Sequence, residues 1–152
     1  MIIREAHAGD VPELSAMGLR FYRAGKFSEK KLDFNTQSLC EFLFFLITAE
    51  VGLLLVAEKD GKIIGSIAGI IAPWMLSFQQ STITETWWWV DPEYRTTMAG
   101  VKLLREFENK ARGLGVSFCM MGTHDVYTED KLQRFYRKLK YKHLEHKYIK
   151  EL

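Results

Sequence analysis

Apolar positions change period along the chain, and the changes mark out helices and strands. Residues 2–6 read as a short strand. Leu14, Met17, Gly18 and Phe21 follow at the i, i+3, i+4, i+7 spacing of an amphipathic helix. Asp10 is its expected N-cap, with Pro12 in the first turn and Glu13 closing a capping box. Residues 25–33 read as a polar loop, and Leu39, Phe42, Leu43 and Leu46 mark a second helix. Leu53–Glu58 and Ile63–Ala72 are apolar runs joined by Lys59-Asp60-Gly61-Lys62, and an Asp-Gly pair between such runs predicts a β-hairpin. Residues 73–80 are predicted as a loop carrying Trp74, Met75, Leu76 and Phe78. Ile83–Val90 is rich in β-branched and aromatic residues, large on both faces, which predicts a central strand covered on both sides.

The helical period returns at Met98–Arg112, where Leu103, Phe107 and Ala111 are four apart and Gly113 and Gly115 supply a stop. Val116–Met121 is a further strand. Lys131–Leu139 is a helix with Leu132, Phe135, Tyr136 and Leu139 on one stripe, and residues 141–150 are expected to form one or two strands. The order β-α-α-β-β-β-α-β-α-β predicts one α/β domain over residues 1–152, with a mixed, mostly antiparallel sheet.

Composition narrows the function classes. A chain of 152 residues suits a single core. The net charge of +2 is too small to imply a nucleic-acid partner by itself. Cys40 and Cys119 have no metal spacing and are too few for a disulfide framework, which points to a reducing, cytoplasmic location with no metal. The N-terminus lacks a signal-peptide pattern. The apolar stretch from Phe42 to Ala57 is broken by Glu50 and Gly52, so no membrane role is expected.

The richest segment runs from Trp89 through Asp91-Pro92 and Arg95 to Gly100. A strand ends, a short polar loop follows, and a helix starts near Met98. Its first turn offers unpaired N–H groups and the positive end of the helix dipole, with Arg95 just before it. That is an anion site suited to a pyrophosphate. An ordinary strand–loop–helix joint with a surface arginine has the same sequence appearance.

WVDPEYR, then a helix, a strand and RFYRKLKYK, resembles the GNAT superfamily of acyl-CoA-dependent N-acyltransferases. The likeness covers essentially the whole chain, is strongest over 83–142, and points to small bacterial or bacteriophage members. The family's Arg/Gln-x-x-Gly-x-Gly/Ala motif is matched by Arg95-Thr96-Thr97-Met98-Ala99-Gly100, with Met98 in place of the middle glycine. The resemblance implies that backbone N–H groups of Thr96, Thr97, Met98, Ala99, Gly100 and Val101 cradle the CoA pyrophosphate. It places Trp89 and Val90 along the pantetheine, Val90 through backbone hydrogen bonds, in a gap where strands 83–90 and 116–121 splay. Met98 must then keep a negative φ and turn its side chain away. Phe135-Tyr136-Arg-Lys-Leu-Lys-Tyr141 resembles the family's Phe/Leu-Tyr-x-x-x-Gly-Phe block, with Lys140 in the glycine position. Tyr136 then matches a tyrosine that donates to the CoA sulfur, a task that suits a neutral phenol; a core aromatic is the simpler role. The implied activity is acetyl transfer from acetyl-CoA to a primary amine in a ternary complex. Cys119, inside a strand without a placed base, is not marked as a nucleophile.

An amine with a pKa of about 10.4 must lose a proton before it attacks. Glu85, a lone carboxylate in STITETWWWV, is the candidate base. It lies one residue farther from Pro92 than is usual in the family. A bulge would restore its direction; without one it shares a face with Ile83, Trp87 and Trp89. A structural ion pair is its duller role. His124 with Asp125 could shuttle the proton instead, although a polar loop before a helix capped by Thr128 is the favoured reading. Alternation puts Trp88 opposite Trp87 and Trp89. One face would pack on helices, and the other would line an acceptor pocket with Trp74, Met75 and Phe78. Core packing is the expectation for at least two of the three tryptophans.

Residues 131–150 hold eight Lys/Arg against Glu145 alone. That run would attract CoA phosphates or an acidic protein, or form a solvated helix face; no nucleic-acid-reading motif accompanies it. The acceptor, whether small molecule, protein N-terminus or lysine, would be set by 25–33 and 73–80. Exposed aromatics in those loops would suit a homodimer contact. A catalytically inactive GNAT-fold binding or inhibitory module is the alternative, which Met98 and Lys140 keep open.

Overall fold

Asp60 and Gly61 both take positive φ, 53° and 78°. A two-residue hairpin turn of matching twist needs such values, and Asp-Gly supplies them. In the computed structural model, which describes residues 1–124 and 129–152, this turn joins β2 (Gly52–Lys59) to β3 (Lys62–Trp74). β1 (Ile2–Glu5), β4 (Ser77–Val90) and β5 (Phe118–Met120) complete a sheet in the order β1-β2-β3-β4-β5. All neighbours are antiparallel except β4 and β5, which are parallel. The helices are α1 (Val11–Ala24), α2 (Thr36–Thr48), α3 (Ala99–Gly113) and α4 (Glu129–Lys138). No helix among the described residues is long and apolar enough to cross a membrane.

The chain forms two compact units. The first comprises Met1–Gly18 and Asn35–Met121; the second comprises Leu19–Phe34 and Gly122–Leu152. In the first, Leu14 and Met17 of α1, Leu43 and Leu46 of α2, and Leu103, Leu104 and Phe107 of α3 are buried with the apolar strand residues. Phe107 lies so close to β3 that a Cβ on Gly69 would stand 2.6 Å from its ring, so glycine is required there.

Three expectations are corrected. Residues 73–80 are not a loop. β3 and β4 continue as a hairpin to a tight tip at Met75-Leu76, with Trp74 opposite Ser77. Pro73, which suggested a break, is tolerated because β2 has already ended opposite Ile70 and the register shifts between Pro73 and Trp74. Asp10 is not an N-cap. His7 caps a 3-10 turn, Ala8–Asp10, through Nδ1, and Asp10 closes the box by accepting from the His7 N–H at 2.9 Å. This frees Glu13 to accept from the Ile63 N–H at 2.9 Å. Arg4 clamps the Asp10 carboxylate with bonds of 2.7 and 2.9 Å, which holds its pKa below the usual carboxylate value against the opposing effect of burial. Lastly, residues 141–152 hold no helix or strand. Neither parity of Tyr141–Lys150 is apolar, so no strand face could be buried there.

α3 and α4 end alike. Gly115, at φ 78°, and Lys140, at φ 67°, each take the left-handed position after a helix. After α3, the Gly115 and Val116 N–H groups bond Arg112 and Ala111; after α4, Lys140 and Tyr141 bond Arg137 and Tyr136. Both sets make the two-bond Schellman closure.

Candidate active site

β5 pairs with β4 only at Thr82, Ile83 and Thr84. β4 continues to Val90 without it, so the two strands part company beyond Thr84. Antiparallel pairing turns alternate backbone groups to opposite edges. The Asp91 N–H bonds Ile64 on β3 at 2.9 Å. The parity of the β3 register therefore turns the amide and carbonyl of Trp88 and Val90 away from β3, toward this gap.

At the end of that edge the Arg95 Nε donates to the Val90 carbonyl at 2.9 Å. Its guanidinium carbon lies 4.5 Å from the centre of the Trp89 ring. Trp89 is pinned in turn, its Nε1 donating to the buried Asp91 carboxylate at 2.9 Å. Arg95 is thus held by its Nε and by an aromatic face, two constraints that direct the rest of a planar fork.

The head of α3 follows. The Thr97 N–H bonds the Tyr94 carbonyl at 3.0 Å, and the Thr97 hydroxyl accepts from the Ala99 N–H at 3.2 Å. Of the expected cradle, Thr97 and Ala99 therefore already use their N–H groups. Gly100 and Val101 head the helix with N–H groups that have no carbonyl one turn below, since intrahelical bonding from this end starts at Lys102 on Met98. Met98 has φ −81° and an exposed side chain, compatible with its place in the motif. A Cβ on Gly100 would meet Trp88 at an ordinary 3.5 Å. Packing does not demand glycine there, and its absence of side chain leaves the helix head open. These groups fit a pyrophosphate.

The β3–β4 register skips at Thr86: Gly69 faces Glu85, and Ala68 faces Trp87. Thr86 is the extra residue of a bulge, which removes Glu85 from the face of Trp87 and Trp89. Glu85 is half-buried. Trp87 and Trp89 are both core residues; the Trp87 Nε1 bonds the Ser66 hydroxyl, and the Ser66 hydroxyl lies 3.4 Å from the Met17 sulfur. Of the hairpin-tip residues, Trp74 is half-buried, whereas Phe78 is 84% exposed.

The second unit holds the other two candidates. Tyr136 is buried and its hydroxyl donates to the Gly122 carbonyl at 2.9 Å. The His124 ring meets Phe21 and Phe27 edge-on, at centroid distances of 5.5 and 5.2 Å. Tyr22 stacks on Phe27 and tilts against Phe34, and its hydroxyl is fixed to the Leu32 carbonyl at 2.7 Å. The segment expected as a polar loop thus carries a 3-10 turn, Phe27–Lys30, inside an aromatic cluster. The signal was Phe27, hidden among the lysines around it, together with Phe21, Tyr22 and Phe34 on its flanks. Asp125 and Thr128 lie outside the described residues. A surface cleft of about 430 Å³ between the end of α3 and the start of β2 contains none of these residues.

The model of the Acetyltransferase (GNAT) family matches residues 19–141. The chain belongs to the GNAT acetyltransferase family. A search of curated protein sequences finds no match. Among solved structures, the GNAT chain is similar to the ribosomal-protein-alanine N-acetyltransferase of Brucella melitensis biovar Abortus 2308 (TM-score 0.74, 13% identity, 100% of both chains). It is also similar to an aminoglycoside acetyltransferase from an uncultured soil metagenomic sample (TM-score 0.74, 19% identity, 99% of this chain and 96% of that one). An acetyltransferase of Trypanosoma brucei shares 21% identity at a TM-score of 0.71, with 99% of each chain covered. These likenesses show a GNAT-like fold. Within it, Lys140, which stands in the glycine position of the family's motif, takes a left-handed φ of 67°.

Proposed function

We propose that this GNAT protein transfers an acetyl group from acetyl-CoA to a primary amine by direct attack in a ternary complex. The observation that carries the reading is the edge of β4 that β5 leaves beyond Thr84, running up to Arg95 and the head of α3. Arg95 and the N–H groups of Gly100 and Val101 would hold the pyrophosphate. The outward amide and carbonyl groups of Trp88 and Val90 would lie along the pantetheine, with Arg95 already on the Val90 carbonyl. When bound, acetyl-CoA supplies a thioester carbonyl at this edge. Glu85 takes the proton from the incoming amine, directly or through water, and the bulge at Thr86 sets its direction. The Tyr136 hydroxyl, now donating to Gly122, is the proton donor for the leaving group. The family match crosses the division between the two units, which supports one catalytic domain over residues 1–152. Neighbours named for an alanine N-terminus and for aminoglycosides support an amine acceptor, carried on a protein or a small molecule.

Calorimetric titration with acetyl-CoA and desulfo-CoA tests this. Micromolar binding that weakens at least about tenfold in Arg95→Ala is expected, about the worth of one charge-assisted contact. No binding at millimolar ligand overturns the reading and leaves a non-catalytic module.

A further inference from the structure

The protein carries its charge unevenly. Its second unit, residues 19–34 and 122–152, holds 13 Lys/Arg against 7 Asp/Glu, whereas the remaining residues hold 8 against 12. The excess remains after the tail's acidic groups are counted, and each of those groups is engaged with a cation of its own. Glu145 pairs with Lys147 at 3.3 Å, and Glu151 pairs with Lys31. Arg137, Lys138, Lys140, Lys142 and Lys150 are exposed, and among the described residues none of them is in an ion pair. The helix dipole accounts for Arg137 and Lys138, which sit in the last turn of α4. It does not reach Lys142 and Lys150.

Apolar side chains are interleaved with these cations. Leu144 is 65% exposed, Tyr148 94% and Ile149 57%. A merely solvated basic tail has no use for bare aliphatic groups, whereas a recognition surface combines them with charge. Nucleic acid is the poorer partner. Tyr148 is the one strongly exposed Tyr, Phe or Trp among the tail's described residues, and the exposed His143 and His146 rings lean on each other, 4.6 Å between centroids, so no spaced series of stacking platforms is present. No nucleic-acid-reading motif accompanies the basic run either. CoA phosphates would use the cations and leave Leu144 and Ile149 unexplained.

We propose that the basic, apolar tail of the second unit docks an acidic polypeptide, and that this polypeptide carries the acceptor amine. The second clause rests on the acetyl-transfer reading above; the first does not. Complementary charge gives the encounter its speed and selectivity, and the interleaved apolar groups give it residence.

The test uses the full chain and a fluorescent peptide of about 12 residues, alternating Glu and Leu with one Lys, with a Lys-for-Glu counterpart and a single-stranded RNA of equal length as comparisons. Fluorescence anisotropy should show binding of the acidic peptide alone. Affinity should fall roughly tenfold or more in the exposed-tail variant K140E/K142E/K150E, and also on raising salt from about 50 to 200 mM. Equal binding by that variant, equal binding of the Lys-rich peptide, or tighter binding of RNA overturns the docking proposal. Acetyl-CoA affinity should be the same in variant and wild type; a parallel loss reassigns the cations to the CoA phosphates and overturns it as well. The kcat/KM for acetylation of the peptide lysine should fall with docking. A peptide that docks without being acetylated, while wild type binds acetyl-CoA, overturns the acceptor clause. Docking without any acetyl-CoA binding overturns the transferase reading instead.

Discussion

Replacing Lys140 by glycine stabilises this protein, if its backbone is as strained as its φ of 67° indicates. The left-handed conformation costs an L-residue about 1–2 kcal/mol, and an unbranched side chain such as lysine sits at the low end. Glycine removes that cost but gives the unfolded chain more freedom, an opposing effect of about 0.4–1 kcal/mol. The closing bonds of Lys140 and Tyr141 and the Tyr136–Tyr141 ring contact, 5.4 Å between centroids, use no atom of the Lys140 side chain. They survive the substitution, and the net gain is about 0.5 kcal/mol. An unfolding entropy of about 2.1 cal/mol/K per residue makes roughly 0.3 kcal/mol/K for this chain, so Tm rises by about 1–2 °C. Differential scanning calorimetry reads this, with urea unfolding as a second measure of the same difference. Lys140→Val, β-branched at the same φ, should move Tm the other way. A glycine variant that is less stable than wild type, or indistinguishable from the valine variant, refutes the argument. Gly115 provides the reverse test: no atom stands within 4 Å of its absent Cβ, so the expected net loss of about 0.5 kcal/mol in Gly115→Ala is purely conformational.

Other predictions follow from the same geometry. Asp10→Asn removes a part-buried bidentate pair with Arg4 and should cost about 2 kcal/mol at pH 7 by urea unfolding. The Asp10 pKa is depressed in the folded state, so its contribution is fully present above the unfolded value of 3.8 and is lost as pH falls through the lower folded value; the gap between wild type and variant should close over that range and not at alkaline pH. Gly69→Ala drives a methyl to 2.6 Å from the Phe107 ring and 2.9 Å from the Thr84 carbonyl, and should lower stability by about 2–3 kcal/mol. Glu85→Gln should lower kcat by about 10²-fold or more and abolish the rise of kcat/KM with pH; a rise that persists places the base elsewhere. Tyr136→Phe should lower kcat and leave acetyl-CoA affinity unchanged, and a pH-independent kcat equal to wild type removes its role as acid.

Much of the sheet was legible because its signals are local. Asp60-Gly61 specifies its turn in two residues, and the alternation of Trp87, Trp88 and Trp89 follows from strand geometry alone. The bulge at Thr86 was legible only as a condition on Glu85, since a bulge is a property of two strands in register. The hairpin arm was missed because the run from Pro73 read as a loop, whereas the absence of a strand partner on that side beyond Ile71 removes the penalty of a proline. At the site, Arg95 and Gly100 could be found by spacing. The Val90 carbonyl and the Asp91–Trp89 bond could not, because ladder parity and one side-chain rotamer decide them. His7 was missed as a cap because histidine is seldom one.

From Ile63 to Thr84 the chain has no charged residue, and that stretch is the β3–β4 arm with its bare tip of Met75, Leu76 and Phe78. In the unfolded chain it is the segment most prone to pair with another copy, with Lys62 and Glu85 as its only charged flanks. Its own topology is the counterweight. Both of its turns are two residues long, at Asp60-Gly61 and Met75-Leu76, so β2, β3 and β4 can zip within microseconds and without the rest of the chain. The same arm that leaves apolar groups in water when folded is thereby the part of the chain that spends the least time unpaired while folding.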